Sequence, residues 1–154
     1  MKKLMIAMLS MIGLVPRLEA KKIPDREVPA TVMTAFLSRY PEARRDCWKS
    51  SETSTAYEVK FRDEGEKHVA RFDMDGTWLV TETKTALKDL PLPVRSTLYG
   101  EFADYRIMEI EKIDDPDLGN CYQLELVKDD EDLAVLMDDR GLIMERYDES
   151  ITTR

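Results

Sequence analysis

The sequence predicts an α+β protein built as two tandem α-ββββ repeats, with antiparallel strands and both helices on one face of the sheet. Three observations carry that prediction. An amphipathic helix pattern over Val28–Pro41 is followed by runs that alternate between apolar and polar residues. Asp75-Gly76 and Arg140-Gly141 then supply hairpin signals, because glycine takes positive φ without steric cost. Finally, the same order of physical types returns further along the chain. At an offset of 62, Val28-Pro29 falls on Leu90-Pro91, Val32 on Val94 and Phe36 on Leu98. At 65, Tyr57-Glu58-Val59 falls on Tyr122-Gln123-Leu124 and Phe72-Asp73 on Met137-Asp138. That period is longer than common solenoid repeats, so it reads as a duplication into two subdomains.

Residues 1–20 differ from the rest. Met1-Lys2-Lys3 is a basic start, and Leu4–Val15 is a nearly unbroken apolar run of twelve residues. That is too short to span a bilayer but suits a signal-peptide core, with cleavage after Ala20. The expectation is a periplasmic or secreted protein with no stable membrane span after cleavage. Leu18 is larger than the residue usually preferred before a cleavage site, which leaves a retained N-terminal anchor as the alternative.

In the first repeat, expected over residues 21–84, Lys21–Arg26 reads as a polar lead-in. Val28, Val32, Phe36 and Tyr40 recur every four residues and predict a helix over Pro29–Arg39. Pro29 suits a first turn, and Tyr40-Pro41 ends the helix. Strands are predicted at Arg44–Lys49, Ala56–Arg62, Lys67–Phe72 and Thr77–Lys84. The second is the clearest, with Tyr57, Val59 and Phe61 on one face and Glu58, Lys60 and Arg62 on the other.

The second repeat, expected over 85–148, has its helix at Leu92–Glu101 after Pro91. Its strands are predicted at Tyr105–Ile113, Cys121–Lys128, Leu133–Met137 and Leu142–Tyr147, and residues 149–154 read as a tail.

The chain of 154 residues carries net −8, and loss of residues 1–20 removes a net two positive charges to leave −10. Such a field repels nucleic acid and anionic membranes, so neither is expected as a partner. Cys47 and Cys121 enter an oxidising compartment if the chain is exported. Both are placed opposite the helices, because Trp48 and Tyr122 take the apolar face. In meander order they lie five strand steps of about 4.8 Å apart, whereas a disulfide needs Cα atoms about 4.4–6.8 Å apart. A bridge and two free thiols both remain open.

No catalytic chemistry emerges from the motifs. Asp73-Met74-Asp75-Gly76 begins like a calcium loop, but its twelfth position is Lys84 rather than the bidentate glutamate required, so a hairpin is the better reading. His68 is the only histidine and lies in an apolar strand without ligand-spaced neighbours. No phosphate loop, G-x-S-x-G or H-E-x-x-H occurs. The expectation is no enzyme, no cofactor and no metal.

The pattern Val28-Pro29, Phe36, Tyr40-Pro41 and Trp48, continued by Tyr57-Glu58-Val59 and Phe72-Asp73-Met74-Asp75-Gly76-Thr77-Trp78, resembles the PepSY-like proteins of Bacteroidetes, also described as β-lactamase-inhibitor-like. The resemblance covers about residues 24–147. The second repeat departs from it, with Phe102-Ala103 in place of Tyr-Pro and Ile143 in place of Trp78. It implies tandem helix-on-sheet units and an exported location, but no established activity and no catalytic residue.

What remains is the sheet face opposite the helices. Continued parity places Arg45, Lys49, Lys60, Val69, Arg71, Tyr105, Ile107 and Leu136 there, with Glu58, Gln123, Glu125 and Ala134. A partly apolar face bearing tyrosine and arginine has the composition of recognition surfaces. The expected function is a non-enzymatic module binding a protein or peptide in the periplasm or outside the cell. The alternative is a structural component of the cell envelope.

Overall fold

The structure, a computed structural model, describes residues 20–50 and 56–148. Apart from Ala20, the expected signal peptide lies outside the described residues, as does the expected tail. The elements run β1 (Lys21–Ile23), α1 (Ala30–Arg39), β2 (Arg44–Ser50), β3 (Ala56–Asp63), β4 (Glu66–Asp73), β5 (Trp78–Lys84), α2 (Leu92–Glu101), β6 (Arg106–Asp115), β7 (Gly119–Lys128), β8 (Glu131–Asp138) and β9 (Ile143–Asp148). Strand order follows the chain from β1 to β9. Helices and an antiparallel meander are what the sequence predicted.

The chain divides into two compact units. The first runs to Gly65 and includes Val69–Leu79; the second comprises Glu66–His68 and everything from Val80.

In the first unit α1 buries Val32 and Phe36 against Trp48, Val59, Phe61, Ala70 and Phe72. Phe36 is the hub: its ring centroid lies 5.5 Å from Trp48, 5.2 Å from Phe61 and 6.3 Å from Phe72, all edge-on. Such edge contacts add to the burial of apolar area itself. The helix stops at Tyr40, whose N–H still donates to the Phe36 carbonyl at 2.9 Å before Pro41 forbids another turn. Arg39 stacks its guanidinium 3.5 Å from the Trp78 ring centroid.

The second unit repeats the plan. Val94 and Leu98 of α2 pack with Leu90 and Phe102 on Ile110, Tyr122, Leu124, Leu126, Leu133, Val135 and Met137. The antiparallel registers pair Ile110 with Leu124 and Leu124 with Val135, so these side chains share the helix-covered face.

Two details expose the duplication at atomic level. The hairpin tips Asp73–Thr77 and Asp138–Leu142 each close with two backbone hydrogen bonds, and each rests its glycine on the first turn of its own unit's helix. A Cβ on Gly76 (φ +89°) would stand 2.9 Å from the Thr31 carbonyl oxygen; on Gly141 (φ +78°) it would stand 2.5 Å from that of Pro93. Thr31 and Pro93 are 62 apart and the glycines 65 apart, the two offsets read from the sequence. The register also shifts between Arg45 and Cys47 in β2, and between Ile107 and Glu109 in β6. The extra residues, Asp46 and Met108, are again 62 apart.

One element was not foreseen. Lys21–Ile23 forms β1, paired with β2 through Lys21↔Ser50, Lys22↔Lys49 and Ile23↔Trp48. Only Ile23 joins the core, so three residues gave no periodicity to read.

Candidate functional site

The two bulges decide which of the expected face residues lie opposite the helices. A bulge adds one residue to a strand and reverses the parity of everything beyond it. Arg45, before the first bulge, therefore pairs with Phe61 and turns to the helix side. There it meets the Asp25 carboxylate at 2.9 Å and contacts the Met33 sulfur. Ile107 and Tyr105, before the second bulge, likewise pack on the second unit's core, with Tyr105 edge-on to Phe102 at 5.8 Å. A hydrogen bond with Glu131 pushes the Tyr105 phenol up. These three residues are removed from the expected face.

In the first unit Lys49, Lys60, Val69 and Arg71 do lie opposite α1, because Trp48, Val59, Ala70 and Phe72 take the other side. Lys60 is exposed, and Lys49 and Val69 are half-buried. Arg71 is only 7% exposed and reaches Glu58 at 3.3 Å. Lys49, the cross-strand neighbour of Glu58, stands 4.0 Å from it. In the second unit Leu136 has the expected side but is also only 7% exposed, between its cross-strand neighbours Gln123 and Glu145. The face is thus closed at Arg71 and Leu136, where an open surface was expected.

The second unit's face carries a constellation the sequence reading left aside. Lys84 pairs with Glu111 and Glu82 with Ile113 across β5 and β6, and Glu109 pairs with Glu125 across β6 and β7. All lie opposite Ile110 and Leu124, so four carboxylates and one ammonium share a patch. Lys84 makes an ion pair with Glu109, and the hydrogen bond between them raises the lysine further. Glu111 is 5% exposed, and its Oε2 has no hydrogen-bond partner among the described residues. Burial, and then the charges of Glu82 and Glu109, push its carboxyl up to about 7. The strand β5 ends at Lys84, short of the start of β6, and a cleft of about 450 Å³ opens there beside Lys84, Leu87, Met108 and Glu109. Adjacent glutamates on alternate positions of β6 were visible in the sequence; the extent of their burial was not.

The repeat offsets set the two faces against each other. Lys49 corresponds to Glu111 and Lys60 to Glu125. Equivalent positions therefore carry cations in the first copy and carboxylates in the second. Lys49 has Glu58 as its cross-strand neighbour, whereas Glu111 has the neutral Gln123.

The remaining candidates have local roles. Asp73 and Asp75 accept from backbone N–H groups at Met74 and Thr77, which is hairpin chemistry and holds Asp75 below the usual carboxylate range. Asp138 does the same for Arg140 and Leu142. His68 Nδ1 meets the Thr83 hydroxyl at 2.7 Å. Both cysteines are free. Cys121 is buried, its thiol pushed up by burial and then by Asp115, Asp138 and Asp139. Among the described residues no group of three or more His, Cys, Asp or Glu side chains is placed to hold a metal ion, and no helix is long and apolar enough to cross a membrane.

A helix laid over one face of an antiparallel meander, twice, defines a tandem helix-on-sheet protein of the β-lactamase-inhibitor-like class. Two spans, residues 17–69 and 55–145, match the family described as "Putative beta-lactamase-inhibitor-like, PepSY-like", and the chain belongs to that family. Solved structures share the fold. A DUF2874 family protein from Bacteroides ovatus is 20% identical with a TM-score of 0.72, over 79% of this chain and 88% of its own. A BLIP-like protein from Bacteroides fragilis is 16% identical with a TM-score of 0.72, over 83% and 89%. A protein from Bacteroides eggerthii described as one of the "putative periplasmic proteins" is 19% identical with a TM-score of 0.71, over 80% and 91%. No curated protein matches the chain.

Proposed function

We propose that this chain is an exported, non-enzymatic binding module of two copies, residues 21–84 and 85–148, whose helix-free strand faces engage a protein or peptide. One observation carries the reading: in each unit the helix and core occupy one side of the strands, while the other presents charged and half-buried residues with no helix over them among the described residues. Half-buried Val69 with charged side chains around it has the apolar-centre, polar-rim layout of a recognition surface. Lys49, Lys60 and Val69 are the contact residues of the first unit. Export is supported by the basic start and apolar run of residues 1–15, and by the periplasmic description of the eggerthii relative. The raised thiol of Cys121 is the opposite of what a nucleophilic cysteine needs.

The test is capture from the exported fraction with the mature chain as bait. Lys60→Glu with Val69→Asp removes a partner that Ser38→Glu with Ser96→Glu, on the helices, retains. Equal capture by both pairs contradicts the reading.

A further inference from the structure

The acidic patch of the second unit has an unmet requirement. Glu111 Oε2 is buried and has no donor among the described residues, although Lys84 is the cross-strand neighbour of Glu111. The ammonium goes instead to Glu109. Leaving a buried acceptor unmatched is costly, and a bare buried carboxylate more so. The first copy meets the same requirement internally, since Lys49 occupies the position equivalent to Glu111 and faces Glu58 across the strands. The second copy has replaced both members, leaving carboxylate beside amide.

We infer that Glu109, Glu111 and Glu125, with Glu82 alongside, receive a lysine or arginine side chain from a protein partner, and that Lys84 is the internal stand-in which that side chain displaces. The inference rests on the binding reading above and names the chemistry of its partner. Lys84 suits the role, because its side chain is 68% exposed and held by one ion pair. The cleft at the end of β5 borders Lys84 and Glu109, the ion pair that the arriving side chain has to open. A guanidinium, with its planar fork of donors, can serve two carboxylates at once. Near neutral pH Glu111 holds a proton for much of the time, so an arriving cation drives that proton off.

The experiment is calorimetric titration of the mature chain with a tetra-arginine peptide at low salt and pH 7, in two buffers of different ionisation enthalpy. Binding by the unaltered chain releases protons, seen as a buffer-dependent heat. Glu111→Gln abolishes that release, and Glu111→Gln with Glu125→Gln weakens affinity about tenfold, the range for losing a close charge pair. Lys84→Met strengthens binding severalfold. The charge-matched control Glu64→Gln with Asp117→Asn, in exposed turns, changes affinity less than about twofold, as screened surface charges do. Circular dichroism checks that each variant folds.

Equal weakening by the control pair, or no proton release, overturns the inference in favour of diffuse attraction to an acidic chain. Spermidine binding as tightly as the peptide, with the same dependence on Glu111, overturns it in favour of a polyamine site. If Glu111 proves irrelevant while capture still depends on Lys60 and Val69, this inference falls and the broader function stands. Should capture be indifferent as well, both fall.

Discussion

Glu111→Gln should make the protein more stable at pH 8 and leave it unchanged near pH 4.5. Its carboxyl is raised from 4.5 to about 7 by burial, opposed by Lys84 and reinforced by Glu82, Glu109 and Glu125. The folded chain therefore holds this proton more tightly than the unfolded chain. The stability associated with the bound proton is complete below pH 4.5 and is lost as pH rises through about 7. A displacement of about 2.5 pH units at 1.36 kcal/mol each gives about 3 kcal/mol lost by pH 8. Glutamine keeps the shape and never ionises, so it escapes that loss. Urea unfolding of both proteins at pH 4.5, 6 and 8 measures the difference directly. Superimposable dependence of the two proteins on pH would refute the reasoning, because it would mean Glu111 titrates in the fold as it does in the unfolded chain.

Other substitutions test the architecture. Gly141→Ala should cost at least about 2 kcal/mol, because positive φ and a backbone oxygen 2.5 Å from the new Cβ both oppose it; Gly76→Ala should cost less, at 2.9 Å. Denaturant midpoints rank the two. Phe36→Ala should cost about 3–5 kcal/mol by opening a cavity among Trp48, Phe61 and Phe72, read from loss of the near-ultraviolet dichroism of those rings. Labelling with a thiol reagent at pH 8 should modify half-buried Cys47 well before Cys121, which reacts only on unfolding. Mass spectrometry of the labelled peptides distinguishes them.

The helices and the four longer strands of each repeat were legible because their periodicities are strong and their ends are marked by proline, glycine or aspartate. Val32 and Phe36 predicted their helix face, and Tyr57, Val59 and Phe61 theirs. The candidate site was legible only as far as parity could be carried without interruption. Asp46 and Met108 interrupt it, and nothing in an isolated strand distinguishes a bulged residue from a paired one. Arg45, Tyr105 and Ile107 were misplaced for that one reason. The offset of 62 between the bulges held the clue, since a feature shared by two copies is a property of the fold. Arg71 and Leu136 were placed on the correct side but taken as open, because alternation reports direction and not cover. For the same reason alternation carries no sign that Glu111 is buried.

The face opposite the helices is best tested by site-specific photocrosslinking in the living cell, with a photoreactive side chain placed singly at Lys60, Val69, Ser38 or Ser96. Discrete protein adducts from Lys60 and Val69, and none from the helix positions Ser38 and Ser96, are the predicted result. Adducts confined to Ser38 and Ser96 would place the partner on the helices and contradict the account.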